Sequence, residues 1–247
     1  MLWLNKGKRT FLQDRQLGSS LALVAGALNS AGFLSVGYYC ANMTGNVSAL
    51  ASAFVAGKLQ AALMAGAIVL CFLAGAMTCT LLMNNGRRRG QGAIYAFTIL
   101  LEAILLCGLA CAQLIWQPKN VPSSISPLLL SFLMGLQNAT VTRVSGAVVR
   151  TTHVTGMVTD LGIELADWFS SFRQKEDAEK HRKMQQRLWL HSQIIGCFII
   201  GSGLGVYGYT YWPTGFLFIV AGILACLSLP GIMININRDT KDASQTG

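Results

Sequence analysis

Residues 93–115 read AIYAFTILLEAILLCGLACAQLI, and Glu102 is the one formal charge among them. At 1.5 Å per residue a helix of this stretch crosses the ~30 Å hydrocarbon core of a bilayer, and it lacks the charged stripe that a helix on a soluble core turns to water. Five further stretches read the same way: 17–40, 60–83, 127–149, 188–210 and 213–234. Arg143, in 127–149, is the only other formal charge in the six. The chain is therefore expected to be an all-α membrane protein with about six transmembrane helices, forming a single membrane domain over residues 1–247.

Composition agrees. Of the 247 residues 53% are hydrophobic and 12% charged, against about 25% charged in soluble domains, and the mean hydropathy is +0.49. That balance excludes a disordered, collagen-like or nucleic-acid-binding chain. A net charge of +9 and a pI near 9.4 would suggest nucleic acid in a soluble protein, but here the basic residues alternate with the spans. Lys6, Lys8, Arg9 and Arg15 precede the first span; Arg87, Arg88 and Arg89 follow the second; Arg173, Lys175, Lys180, Arg182, Lys183 and Arg187 precede the fifth; Arg238 and Lys241 follow the sixth. The other connections hold only Lys58 and Lys119. Because Lys and Arg in short loops stay cytoplasmic during insertion, both termini are expected in the cytoplasm, with no nucleic acid as partner. The first span is too long for a signal-peptide core and is read as an uncleaved helix. All seven cysteines lie in or at the ends of spans with no CxxC, and only three histidines are present, so no metal and no cofactor are expected.

Six spans divide into three and three, and with an odd number per half any internal repeat must be inverted. Asn29 in the first span and Asn138 in the fourth are each followed by small residues and then by Thr-Gly-x-Val: Thr44, Gly45, Asn46, Val47 and Thr155, Gly156, Met157, Val158. The half repeats would be 17–115 and 127–234, with a cytoplasmic basic loop at 170–187. The segments that follow each Thr-Gly, 47–57 and 157–169, are too short to span. A continuous helix through either would be a rod of ~60 Å, so the chain is expected to bend, re-enter or run along the interface near each Thr-Gly.

The polar residues cluster around those breaks. Arg143 and Arg150 lie two turns apart, followed by Thr152, His153 and Gly156; Asp160, Glu164 and Asp167 then share one helix face. One reading makes this acidic face the wet side of an interfacial helix, with Arg150 reaching headgroups. The other makes Arg143, Arg150, Asp160 and Glu102 a buried network where the halves meet, with His153 nearby and Asn29, Asn42, Thr44 and Asn46 contributing from the first half.

The strings Ala41-Asn-Met-Thr-Gly-Asn46, Leu136-Gln-Asn-Ala139, Arg143-Val-Ser-Gly-Ala147, Arg150-Thr-Thr-His-Val-Thr-Gly156 and Thr159-Asp-Leu-Gly162 resemble the YoaK family of bacterial inner-membrane proteins, a domain-of-unknown-function group. The resemblance runs from about Leu17 to the sixth span and implies a multi-helix protein of the bacterial inner membrane, with no activity to carry over.

The leading expectation is a transporter or permease, not an enzyme, whose partners are the bilayer and a small polar or anionic solute. Substrate-binding candidates are Asn29, Asn42, Thr44, Gly45, Asn46, Asn138, Arg143, Arg150, Thr152, His153, Thr155 and Gly156; Asp160, Glu102 and Glu164 are candidates for coupling an ion or proton. The alternative is a non-catalytic scaffold or sensor whose basic loop docks a cytoplasmic partner or anionic lipid. A third reading is an intramembrane enzyme that uses His153 with Asp160.

Overall fold

A computed structural model describes residues 11–89, 93–115, 125–146, 151–171 and 178–245. Within them the chain is helical throughout: α1 (Phe11–Val36), α2 (Met43–Val55), α3 (Leu59–Arg88), α4 (Ile94–Ile115), α5 (Ile125–Val144), α6 (Val154–Ser171), α7 (Ala178–Tyr211) and α8 (Pro213–Gln245). Six of these, all but α2 and α6, are long and apolar enough to cross a membrane.

The first and fourth spans stop earlier than their apolar runs suggest. α1 ends at Val36 because Gly37 takes a left-handed φ of +76°, and α5 ends at Val144 just before Gly146 at +64°. Such a glycine closes a helix without the Cβ penalty another residue would meet. The break therefore begins before each Thr-Gly, and Thr44-Gly45 and Thr155-Gly156 instead open the next helix. The segments expected at 47–57 and 157–169 are the helices α2 and α6, both longer at their starts. The loop expected at 170–187 is also mostly helix. Residues 170–171 end α6, and 178–187 begin α7, where Lys183 pairs with Glu179 at 2.6 Å one turn away. Residues 172–177, with Arg173 and Lys175, lie outside the described residues, as do Lys6, Lys8, Arg9, Lys119 and Arg150.

Neither short helix lies across the end of its neighbour. α2 turns back at Gly57 (φ +70°) and runs along α3, with Leu50 against Gly66. α6 runs antiparallel along α7: Ser171 bonds His181 at 3.3 Å, Glu164 meets His191 at 3.0 Å, and Thr155 lies beside Phe198 and Ser202. Phe198 and Ser202 lie well inside the candidate span His181–Tyr211, so α6 starts alongside that span and not at its end.

The long helices meet where side chains vanish. On α1 and α7, a Cβ added to Gly26 or Gly201 would strike the carbonyl of Phe198 or Leu23 inside 3.0 Å; on α5 and α3, Gly135 and Gly75 stand in the same way against Phe72 and Phe132. Each glycine lies three residues from the partner position on its own helix, so the α1–α7 and α3–α5 contacts share one spacing. Backbones that approach this closely gain dispersion contacts that lipid cannot replace. α4 packs on α8, and Cys40, beyond the end of α1, points its Sγ at the Pro127 carbonyl near the start of α5, 3.6 Å away, which sets α1 and α5 antiparallel.

Candidate functional site

Two asparagines hold the chain where it leaves the interrupted spans. Asn29 of α1 is buried, and its Oδ1 accepts the Ala41 N–H at 2.8 Å. Asn138 of α5 does the equivalent: its Oδ1 accepts from the Thr151 hydroxyl at 3.3 Å and its Nδ2 donates to the Thr152 hydroxyl. Asn29 thus satisfies a freed backbone N–H inside the protein, whereas Asn138 ties down the returning segment through two threonine hydroxyls.

A side chain folds over the start of each helix that follows. Asn42 precedes α2 and its Oδ1 accepts the Gly45 N–H at 3.1 Å; His153 precedes α6 and its backbone carbonyl accepts the Met157 N–H at 3.1 Å. A Cβ on Gly45 would strike the Asn42 amide, and one on Gly156 the His153 ring. The Gly of each Thr-Gly makes room for a side chain lying over the first helical turn, which at Asn42 is also the cap. Asn46 is buried and donates from Nδ2 to the Tyr39 carbonyl at 2.8 Å, tying α2 to the segment before it.

Both break segments line one cavity of about 330 Å³ between α1 and α7. Asn29, Ser30, Tyr39 and Asn42 come from the first half; Thr152, Thr155, Phe198 and Ser202 come from the second. Among the described residues its lining is amide, hydroxyl, aromatic and small apolar, without a formal charge. Because Asn42 caps α2 and Thr155 sits in the first turn of α6, two helix N-termini border the cavity. Such a lining suits a small solute that presents oxygen acceptors.

Other expected residues lie elsewhere. Arg143 is half-buried at the end of α5 and does not line the cavity. Asp160 is exposed and, among the described residues, forms no ion pair with Arg143. Together with Glu164 and Asp167 it lines a separate groove of about 610 Å³, facing Lys183, Arg187 and His191 of α7. The acidic stripe thus meets the basic flank of a neighbouring helix rather than a network with Arg143. Glu102 is fully buried in α4, away from both cavities. Ser30, Tyr39, Phe198 and Ser202 were not among the expected site residues, since Ser and aromatic side chains inside spans look like packing until their partners are known.

Residues 17–229 match the family described as a protein of unknown function, DUF1275. Over 145 residues the chain is 30% identical to the UPF0700 transmembrane protein YoaK of Bacillus subtilis (strain 168), a match that covers 58% of this chain and 63% of that relative, under two thirds of its length. No solved structure matches the chain.

Proposed function

We propose that this chain, which belongs to the DUF1275 family and is a multi-pass membrane protein, is a permease for a small polar or anionic solute rather than an enzyme. One observation carries the reading: two interrupted spans, far apart in sequence, bring their breaks to one polar cavity between candidate membrane-spanning helices. Irregular backbone inside a membrane is tolerated where it is buried in protein or lines a path, and helix N-termini at such breaks are suited to oxygen-rich solutes. The shared Gly spacing of the α1–α7 and α3–α5 contacts, with Asn29 and Asn138 each three residues beyond its glycine, supports an inverted repeat of three spans and three. Alternating access would then rock one half against the other about the cavity.

The test starts from cells with and without the protein, whose metabolites are compared to nominate solutes for flux into proteoliposomes. Thr155→Val keeps the shape of a side chain beside the cavity and removes its hydroxyl. It is expected to reduce flux about tenfold at limiting solute, the size of one lost hydrogen bond to solute, with thermal stability unchanged. Unchanged flux would remove the cavity from the mechanism.

The distribution of basic residues supports an orientation with both termini cytoplasmic, in what we infer to be a bacterial inner membrane. A reporter that fluoresces only in the cytoplasm, fused after Gly247, is expected to fluoresce, and one active only outside is expected to be silent; the reverse pattern would invert the assignment.

A further inference from the structure

We propose that Glu102 is a reversible proton-binding site inside the bundle, separate from the cavity and approached from the Arg87 end of α3 by a ladder of polar side chains. Glu102 is 0% exposed, and neither carboxyl oxygen has a hydrogen-bond partner among the described residues. The same holds for both polar atoms of Gln137, also 0% exposed. An unpaired carboxylate in a span costs about 2.5 kcal/mol or more, whereas a proton cancels its charge without demanding space.

Helix geometry brings the two orphans together. The Thr140 hydroxyl of α5 donates to Thr98 Oγ1 of α4 at 3.2 Å. α4 and α5 are consecutive spans and run antiparallel, so Glu102, one turn after Thr98, and Gln137, one turn before Thr140, lie on the same side of that bond. Access comes from the opposite side. Tyr95, Thr98 and Glu102 share one face of α4; Thr98 donates to the Tyr95 carbonyl at 2.8 Å, and the Tyr95 hydroxyl accepts from the exposed Arg87. Thr98, Thr140 and Cys79, with Cys79 Sγ 3.3 Å from Thr140 Oγ1, put polar side chains on the Arg87 side of Glu102. Thr98 meets the Tyr95 carbonyl and not its hydroxyl, so a proton reaches the carboxyl when transient water links these groups.

The cluster is not a packing device repeated in both halves. Counted from the contact glycines Gly26 and Gly135, the positions of Gln137 and Thr140 are Leu28 and Ala31 in α1; counted from Gly75 and Gly201, that of Cys79 is Gly205 in α7. The charged and titratable groups around Glu102 are Cys79 and Arg87 of α3, Tyr95 of α4 and Arg143 of α5; α8 carries no formal charge from Pro213 to Met233. Among the described residues no ion pair joins Arg143 to Glu102. Binding forms one O–H bond on the carboxylate and release returns the proton to water. Any use of that step to drive a solute rests on the permease reading.

Infrared difference spectra of the full chain in lipid nanodiscs, recorded as the pH is stepped in choline and in sodium buffers, test the site. A protonated-carboxyl C=O band that titrates identically in both buffers is expected, lost in Glu102→Gln and retained in Glu164→Gln and Asp160→Asn. Gln137→Leu keeps the carboxyl and is expected to move the midpoint by about one pH unit or more, which reads the site even if Glu102→Gln fails to fold. A band that survives Glu102→Gln, a midpoint indifferent to Gln137→Leu, or one that follows sodium would overturn the proposal. A titrating Glu102 in a protein that moves no solute would leave the site standing and remove the permease reading.

Discussion

Gly75→Ala and Gly135→Ala are each expected to destabilise the bundle by about 2–3 kcal/mol, and Gly75→Leu to prevent its assembly. The cause is steric and local. A methyl on either glycine meets a backbone carbonyl of the opposite helix inside 3.0 Å, and backbone cannot swing aside as a flexible side chain can. The helices must separate, and the dispersion contacts along the whole α3–α5 seam weaken together. Gly108→Ala and Gly222→Ala are the controls: nothing lies within 4 Å of a Cβ at either, so Ala, the better helix former, is expected to leave stability unchanged or raised by up to about 1 kcal/mol. Thermal unfolding of the four variants in one detergent, followed by size-exclusion chromatography, measures the contrast. Equal midpoints would mean that the seam has no energetic role.

Asn29→Ala is expected to cost both stability and transport. It leaves the Ala41 N–H buried without an acceptor, a loss of about 1–3 kcal/mol, and frees the segment that carries Tyr39 and Asn42 into the cavity. Asn138→Ala removes two bonds, to Thr151 and Thr152, with a comparable cost. Solute flux is expected to fall more than tenfold in each, because pocket groups displaced by 1 Å lose their alignment. Asn84→Ala, on an exposed site of α3, is expected to match the parent in both assays. Flux that survives Asn29→Ala and Asn138→Ala would separate the breaks from the transport path.

Much of this architecture is legible in the sequence because lipid imposes a simple rule: spans must be long, apolar and nearly free of charge. That rule finds the six long helices and marks Glu102 and the asparagines as exceptions worth a reason. The helix ends are less visible, because Gly37 and Gly146 are two glycines among 26 and only their left-handed backbone distinguishes them. The acidic stripe was readable as a stripe. Its partners were not, since Lys183, Arg187 and His191 reach it only after α7 extends past the membrane as a helix. A single amide inside a span is ordinary, so Gln137 is not distinguished in the sequence; its burial without a partner is a property of packing.

The two glycine-lined pairs each join one helix made early to one made late. α1 closes on α7, and α5 closes back on α3, so the halves are laced through one another rather than laid side by side. During synthesis α1 must wait in the lipid with its Gly26 face uncovered until the ribosome has passed Tyr211, and one of the two glycine seams is therefore sealed almost last. A chain cut between the halves would leave two fragments, each missing the other's groove, and neither could mature without its complement.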